Sequence, residues 1–299
     1  MSDAIHAENL VMKFRSTSVL DGLNLAVEEG SVFGLVGPNG AGKTTTIKVL
    51  MNLYRPNSGR AQILGVDSRS LGAEQLAHIG YVSENQEMPG WMTVASFLAY
   101  LKPFYPSWDD SRAAELIRQF DLPLNRKLKH LSRGMRMKAA LASSLAYRPR
   151  LLVMDEPFSG LDPMVREDLI EGLLESAGET TIFVSSHDLA EIESFASHIG
   201  YLDRGRLQFS EEMSSLNDRF REVELTFAAD PRKPTTLPAS WTRLSTAGPV
   251  VRFIETRFDA ETTHAAIREL FGEPKQISVS AMPLRSIFVA MARHQSRNS

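Results

Sequence analysis

The 299-residue chain contains no cysteine, which excludes disulfides and thiol chemistry and fits a reducing compartment. It also lacks any apolar run of the roughly 18 residues that span a bilayer. The longest uncharged stretch, Met88 to Leu101, is too short. The start, Met1-Ser2-Asp3-Ala4-Ile5-His6, has no basic-then-apolar signal pattern. A soluble chain is expected, whose contact with any membrane is indirect and runs through a partner. The formal charge of −3 removes the electrostatic reason for bulk nucleic-acid binding, so no nucleic-acid partner is expected. No internal repeat, low-complexity tract or sustained heptad is present. What remains is ordinary globular composition in a length that holds one large or two ordinary domains.

Against these absences stands Gly37-Pro38-Asn39-Gly40-Ala41-Gly42-Lys43-Thr44, with the spacing G-x-x-x-x-G-K-[ST] of a phosphate-binding loop. The run Ser31 to Val36 reads as a short buried strand before it. Thr45 to Tyr54 reads as a helix after it, with Ile47, Leu50 and Met51 on one side. A loop between strand and helix turns successive backbone N–H groups toward one point, where the helix N-terminus adds partial positive charge. The glycines allow close approach to phosphate oxygens and positive φ. Lys43 supplies a point charge for the β- and γ-phosphates, and Thr44 a hydroxyl for Mg²⁺. Gly37 to Thr44, with Thr45, are therefore the expected contacts of a nucleotide's phosphates.

Residues 1–210 alternate strand-like and helix-like segments, as a mainly parallel α/β sheet does. Leu151 to Met154 and Thr180 to Val184 show no polar alternation, which suits central strands buried on both faces. A more helical insert is expected from about 87 to 150. Ser107 with Asp110 reads there as an acidic variant of the capping box, followed by Ala113, Ile117 and Phe120 at helical spacing. Pro149 closes a helix that begins near Ser132. Residues 211–299 read as a small α+β appendage. Pro231, Pro234 and Pro238 crowd one segment, with strands at Val223–Phe227, Val250–Thr256 and Ile277–Ala281 and helices at Ala260–Phe271 and Leu284–Arg293.

Asp155 and Glu156 end the strand that begins at Leu151, where ligands of open α/β sheets collect. Asp155 is placed to reach Mg²⁺, and Glu156 to orient or deprotonate an attacking water. His187 follows a second buried strand. It reads either as a partner of the γ-phosphate or the water, or as a residue in the first turn of a helix capped by Ser186. Ser132 is a good N-cap, and the N–H groups after it make an anion site.

Together and in this order, the motifs resemble the nucleotide-binding subunit of ATP-binding cassette (ABC) transporters over residues 5 to 210. The resemblance implies a P-loop nucleotide hydrolase core, ATP and Mg²⁺ as cofactors, and ATP hydrolysis coupled to transport. Leu131 to Met135 is similar to the family signature, usually Leu-Ser-Gly-Gly-Gln, which assigns Ser132 and Gly134 to nucleotide contact. Ser159-Gly160-Leu161-Asp162 resembles the loop that couples two sites, adding Asp162, and His187 resembles the switch histidine. Phe14 matches an aromatic that stacks on adenine; its other reading is an ordinary apolar residue of an N-terminal edge strand. Arg133 and Met135 depart from the signature. Glu84 stands where the family carries a glutamine that contacts Mg²⁺, with Gln86 a weaker substitute.

The implied mechanism is a head-to-tail homodimer, in which the Ser132 helix of one copy closes over ATP held by the other. Lys43, Glu156 and His187 are the catalytic set, and Thr44, Asp155 and Glu84 the metal set. The expected partner is a separate transmembrane permease, with the chain peripheral on the cytoplasmic face of the inner membrane. Export is favoured by similarity to a bacterial single-cassette subgroup. An importer subunit, or a soluble ABC ATPase uncoupled from transport, is the alternative. Met88, Trp91 and Met92 either form a groove for the partner or belong to the core of the insert.

Overall fold

The computed structural model describes residues 2–298 apart from Lys233 and Thr235, with side chains described as far as residue 291. Met1 and Ser299, the outermost residues of the two expected domains, lie outside the described residues. The chain forms two compact units that divide between Ser210 and Glu211. It runs through β1 (Asp3–Phe14), β2 (Thr17–Glu28), β3 (Val32–Val36), α1 (Lys43–Leu50), β4 (Ser58–Ile63), β5 (Val66–Asp67), α2 (Ala73–Leu76) and β6 (Ile79–Ser83). Then follow α3 (Val94–Leu101), α4 (Asp110–Gln119), α5 (Arg133–Leu145), β7 (Leu151–Asp155), α6 (Pro163–Leu174), β8 (Thr181–Ser186), α7 (Leu189–Glu193), β9 (His198–Asp203) and β10 (Arg206–Glu212). The second unit continues with α8 (Met213–Arg219), β11 (Arg221–Thr226), β12 (Trp241–Ala247), β13 (Val250–Glu255), α9 (Ala260–Phe271), β14 (Gln276–Ala281) and α10 (Leu284–Asn298).

The central sheet has the order β10-β9-β3-β8-β7-β6. Every pairing from β9 across to β6 is parallel. β3, β7 and β8 are buried at every position, which explains their uninterrupted apolar spelling: both faces of a parallel strand are covered. The register aligns Val36 with Ser186, Asp155 with Ser185 and Ser83 with Asp155. Four strand ends therefore open onto one crevice.

A second sheet, β2-β1-β4-β5, is antiparallel and corrects the expectation of a mainly parallel sheet throughout. Its signal is hidden because β1 slips register at several points, between Ala7 and Leu10 among others. That breaks the period-two alternation a strand normally shows. β1 lies between β2 and β4, so Phe14 is not on an edge strand. Ile5 and Leu10 of β1, Leu23 and Val27 of β2, and Ile47 and Leu50 of α1 join Phe33, Val153 and Phe183 in one core. This core seats α1 between the two sheets.

The insert between β6 and β7 is helical. α5 begins where the N-cap reading places it, with Ser132 Oγ accepting from the Met135 N–H at 3.2 Å. It ends at Leu145, ahead of Pro149. The capping box at Ser107 is not formed. Asp109 caps α4 instead, accepting from the N–H groups of Ser111 and Arg112, while Ser107 donates to the Tyr147 carbonyl at 2.7 Å. A carboxylate two residues closer to the helix captures two of its free N–H groups.

The second unit is α+β. Its antiparallel sheet, ordered β12-β13-β11-β14, buries Val223, Leu225, Trp241, Val251 and Phe253 against Ile267 and Phe271 of α9. Trp241 stacks on Phe253 with ring centroids 3.9 Å apart.

Candidate functional site

The loop from β3 to α1 wraps the N-terminus of α1. Gly42 caps the helix at φ 112°, a backbone setting open only to glycine without strain. Gly37 serves a different need from the one expected: a Cβ there would lie 2.1 Å from the Leu202 carbonyl oxygen. Its own N–H is spent on Ser186 O, and that of Ala41 on Pro38 O. Proline has no N–H. Gly37, Pro38 and Ala41 thus shape the loop, and the groups turned to the cavity belong to Asn39, Gly40, Gly42, Lys43, Thr44 and Thr45. The cavity holds about 480 Å³ and is completed by Val19, Glu84, Glu156, Ser159 and His187.

Lys43 is only 5% exposed. Its Nζ donates to the carbonyls of Gly37 (2.7 Å) and Pro38 (3.3 Å) and pairs with Glu156 Oε1 at 3.1 Å. Beneath it, Thr44 Oγ1 donates to Asp155 Oδ1 at 3.0 Å and Ser185 Oγ to the same oxygen at 2.8 Å. Burial pushes the Asp155 carboxyl above its ordinary range, and the two hydroxyl donors pull it back. This pair of hard oxygen donors suits Mg²⁺, which is held by few protein ligands plus substrate phosphates. Among the described residues no cluster of three or more His, Asp and Glu could hold a metal on its own.

Glu156 has φ +50°, the left-handed region that costs a non-glycine residue and collects at functional sites. Its N–H donates to Ser185 Oγ at 3.0 Å. The turn directs the carboxylate between the Lys43 ammonium on Oε1 and the His187 ring, whose Nδ1 lies 2.7 Å from Oε2. That hydrogen bond is the main cause holding the His187 pKa above the usual 6.5. Because the folded value is the higher one, the pair is fully formed below about 6.5 and is lost as pH rises through the raised value. Titration of the His187 ring by NMR is expected to give a midpoint above 6.5 in the parent chain, moving back toward it in Glu156→Gln. An unchanged midpoint in that variant would break the assignment of the contact.

Ser132, Gly134, Asp162, Phe14 and Gln86 do not line this cavity. Ser132 caps α5, and Gly134 is buried where a Cβ would come within 2.8 Å of Val165. Asp162 caps α6 by accepting from the Met164 N–H. Phe14 is 42% exposed, edge-on to Tyr54 at 5.4 Å. Gln86 turns back to accept from the Ser83 N–H. Glu84 lines the cavity, but its carboxylate is bonded to Arg133. His187 precedes the helix it was read into: Asp188 is the cap of α7, and Ser186 Oγ donates to Glu191. Sequence reasoning gave no role to Ser185 or Glu191, and named Ser159 only within the loop that couples two sites. Only Ser185 left a signal, as a hydroxyl residue at the end of an otherwise apolar strand.

Residues 20–159 match the ABC transporter family. The chain is 34% identical over 235 residues to the sulfate/thiosulfate import ATP-binding protein CysA of Bradyrhizobium diazoefficiens, an alignment covering 75% of this chain and 67% of the relative. The chain belongs to the ABC transporter ATP-binding proteins. It is 37% identical over 210 residues to the daunorubicin resistance ATP-binding protein DrrA2 of Streptomyces coeruleorubidus, covering 68% of this chain and 65% of that one. The dimeric structure of MJ0796, a bacterial ABC transporter cassette, superposes with a TM-score of 0.62 at 25% identity, covering 70% of this chain and 98% of that one. The core of this ABC protein is therefore a P-loop nucleotide hydrolase, and the chain is an ATP-binding, ATP-hydrolysing subunit of a transporter.

Proposed function

We propose that this ABC ATPase powers a membrane exporter, working as a head-to-tail homodimer on a separate permease at the cytoplasmic face of the membrane. The observation that carries the catalytic part is the left-handed turn at Glu156, which holds one carboxylate between Lys43 and His187 above the Thr44–Asp155 pair. Magnesium bound with ATP would supply neutralisation of phosphate charge. Thr44 and Asp155 would hold that ion, and Lys43 and the α1 N-terminus would receive the phosphates. Glu156 accepts the proton of an attacking water, and His187 orients the carboxylate and donates to developing negative charge. Ser132 and Gly134 line none of their own chain's phosphate cavity, which supports their use by a second copy. The dimeric relative supports the same arrangement.

Among the described residues no helix is long and apolar enough to cross a membrane, in keeping with a peripheral subunit. Export rests on the replaced signature residues Arg133 and Met135 and on similarity to the drug-resistance protein. Similarity to the sulfate importer supports the second reading, an importer subunit.

The docking surface for the permease is the segment after Glu84. Met92 is buried and belongs to the insert's core, whereas Trp91 is 71% exposed and Met88 lines a groove of about 680 Å³. Affinity purification of the tagged chain from its native membranes is expected to recover a polytopic membrane protein. Trp91→Glu should lose it without change in melting temperature, because the ring supports no core packing. Recovery of the same partner at parent yield would remove Trp91 from the interface.

A further inference from the structure

Two residues that depart from the family pattern face each other. The Arg133 guanidinium, on the first turn of α5, bonds through Nη2 to Glu84 Oε1 at 2.5 Å. Glu84 is itself anchored to the nucleotide site, since its backbone N–H donates to the carbonyl of Asp155 at 3.0 Å. On the other side, Arg133 Nη1 lies 3.1 Å from where a Cβ of Gly160 would stand. Gly160 follows Ser159, which lines the phosphate cavity together with Glu84. One guanidinium thus joins the start of α5 to the turn after β6 and lies beside the loop after β7.

A cation on the first turn of a helix opposes the positive helix end, so Arg133 is a poor choice for α5 alone. Glu84 offsets that cost and supplies the negative charge the helix start favours. The pair is partly exposed, with side chains 43% and 30% accessible, which places its strength in the range where it can form and break during a cycle.

We propose that Glu84 and Arg133 are a positioning latch that sets the orientation of the helical insert relative to the nucleotide cavity. Its effect on turnover rests on the ATPase reading; the latch itself rests only on contacts within one chain. In this role Glu84 acts through Arg133, by its Oε1. The absence of cysteine makes a direct distance test simple. Spin labels at Glu74→Cys and Arg118→Cys, both on exposed positions, report insert against core in the nucleotide-free chain. The expected result is one narrow distance distribution in the parent, broadened equally in Glu84→Gln, Arg133→Gln and the double variant, and kept narrow in Arg133→Lys. In phosphate-release assays, each single variant should lower kcat about twofold to fivefold, as expected for a partly exposed charge pair. The double should lower it no further, and KM for ATP should stay within about twofold, since the phosphate loop is untouched. Distributions as narrow as the parent's in both singles, or kcat losses that multiply, would overturn the latch. A parent chain that releases no phosphate would overturn the ATPase reading, leaving the distance measurement to decide the latch.

Discussion

Glu156→Gln is expected to lower ATP turnover by about 10²- to 10⁴-fold, the usual contribution of a positioned general base, while ATP still binds. Glutamine has the shape of glutamate and tolerates the same φ of +50° about equally. Its amide oxygen can accept from Lys43 or His187, but it cannot take a proton from water. Lys43 keeps its two carbonyl acceptors on Gly37 and Pro38, so the loop is not left with a buried, unpartnered ammonium. The variant should therefore bind ATP and, with hydrolysis blocked, accumulate as a dimer. Phosphate release and light scattering with and without ATP read the two effects separately. Hydrolysis at the parent rate would remove Glu156 from the mechanism.

The second large effect is on stability and arises one layer below the cavity. Glu191 is 4% exposed. It accepts the Ser186 hydroxyl at 2.6 Å on Oε2 and pairs with Arg166 at 3.3 Å on Oε1. Ser186 also accepts from the Asp188 N–H, and its carbonyl accepts from that of Gly37. One buried carboxylate thus ties α6 and α7 to the end of β8 and so to the phosphate loop. Glu191→Ala leaves the Arg166 charge unpaired beside its already unpartnered, buried Nε. Breaking such a pair costs about 3 kcal/mol, or roughly 6–12 °C in melting temperature for a unit of this size. Glu191→Gln keeps an acceptor for Ser186 and should lose less than half of that. Calorimetry on the two variants decides the matter, and equal melting temperatures for parent and Glu191→Ala would show that the network carries no stability.

Much of the site was legible because its signals are local. Gly42, Lys43 and Thr44 are consecutive, and the loop they belong to is set by its own glycine and by the strand before it. Leu151 to Asp155 spells a strand covered on both faces without reference to any neighbour. Ser132 caps the helix it precedes. Where readings failed, the deciding partner was distant in sequence. Ser107 lost its capping role to Asp109 and bonded Tyr147, forty residues on. The alternative reading of Phe14, as a residue of an edge strand, fails because nothing local announces that β4 pairs on the far side of β1.

The sequence alone determined that the chain has a phosphate loop, an acidic strand end and a histidine after a neighbouring strand, since each is a short pattern with its own physical reason. Tertiary structure decided how these act on one another. Parallel register sets Asp155 beside Ser185, and a left-handed turn aims Glu156 between Lys43 and His187. Packing of α5 against β6 brings Arg133 onto Glu84. Such pairings depend on angles between elements that lie far apart along the chain. Read one at a time, Glu84 and Arg133 are only departures from the family pattern; the fold joins them as an ion pair.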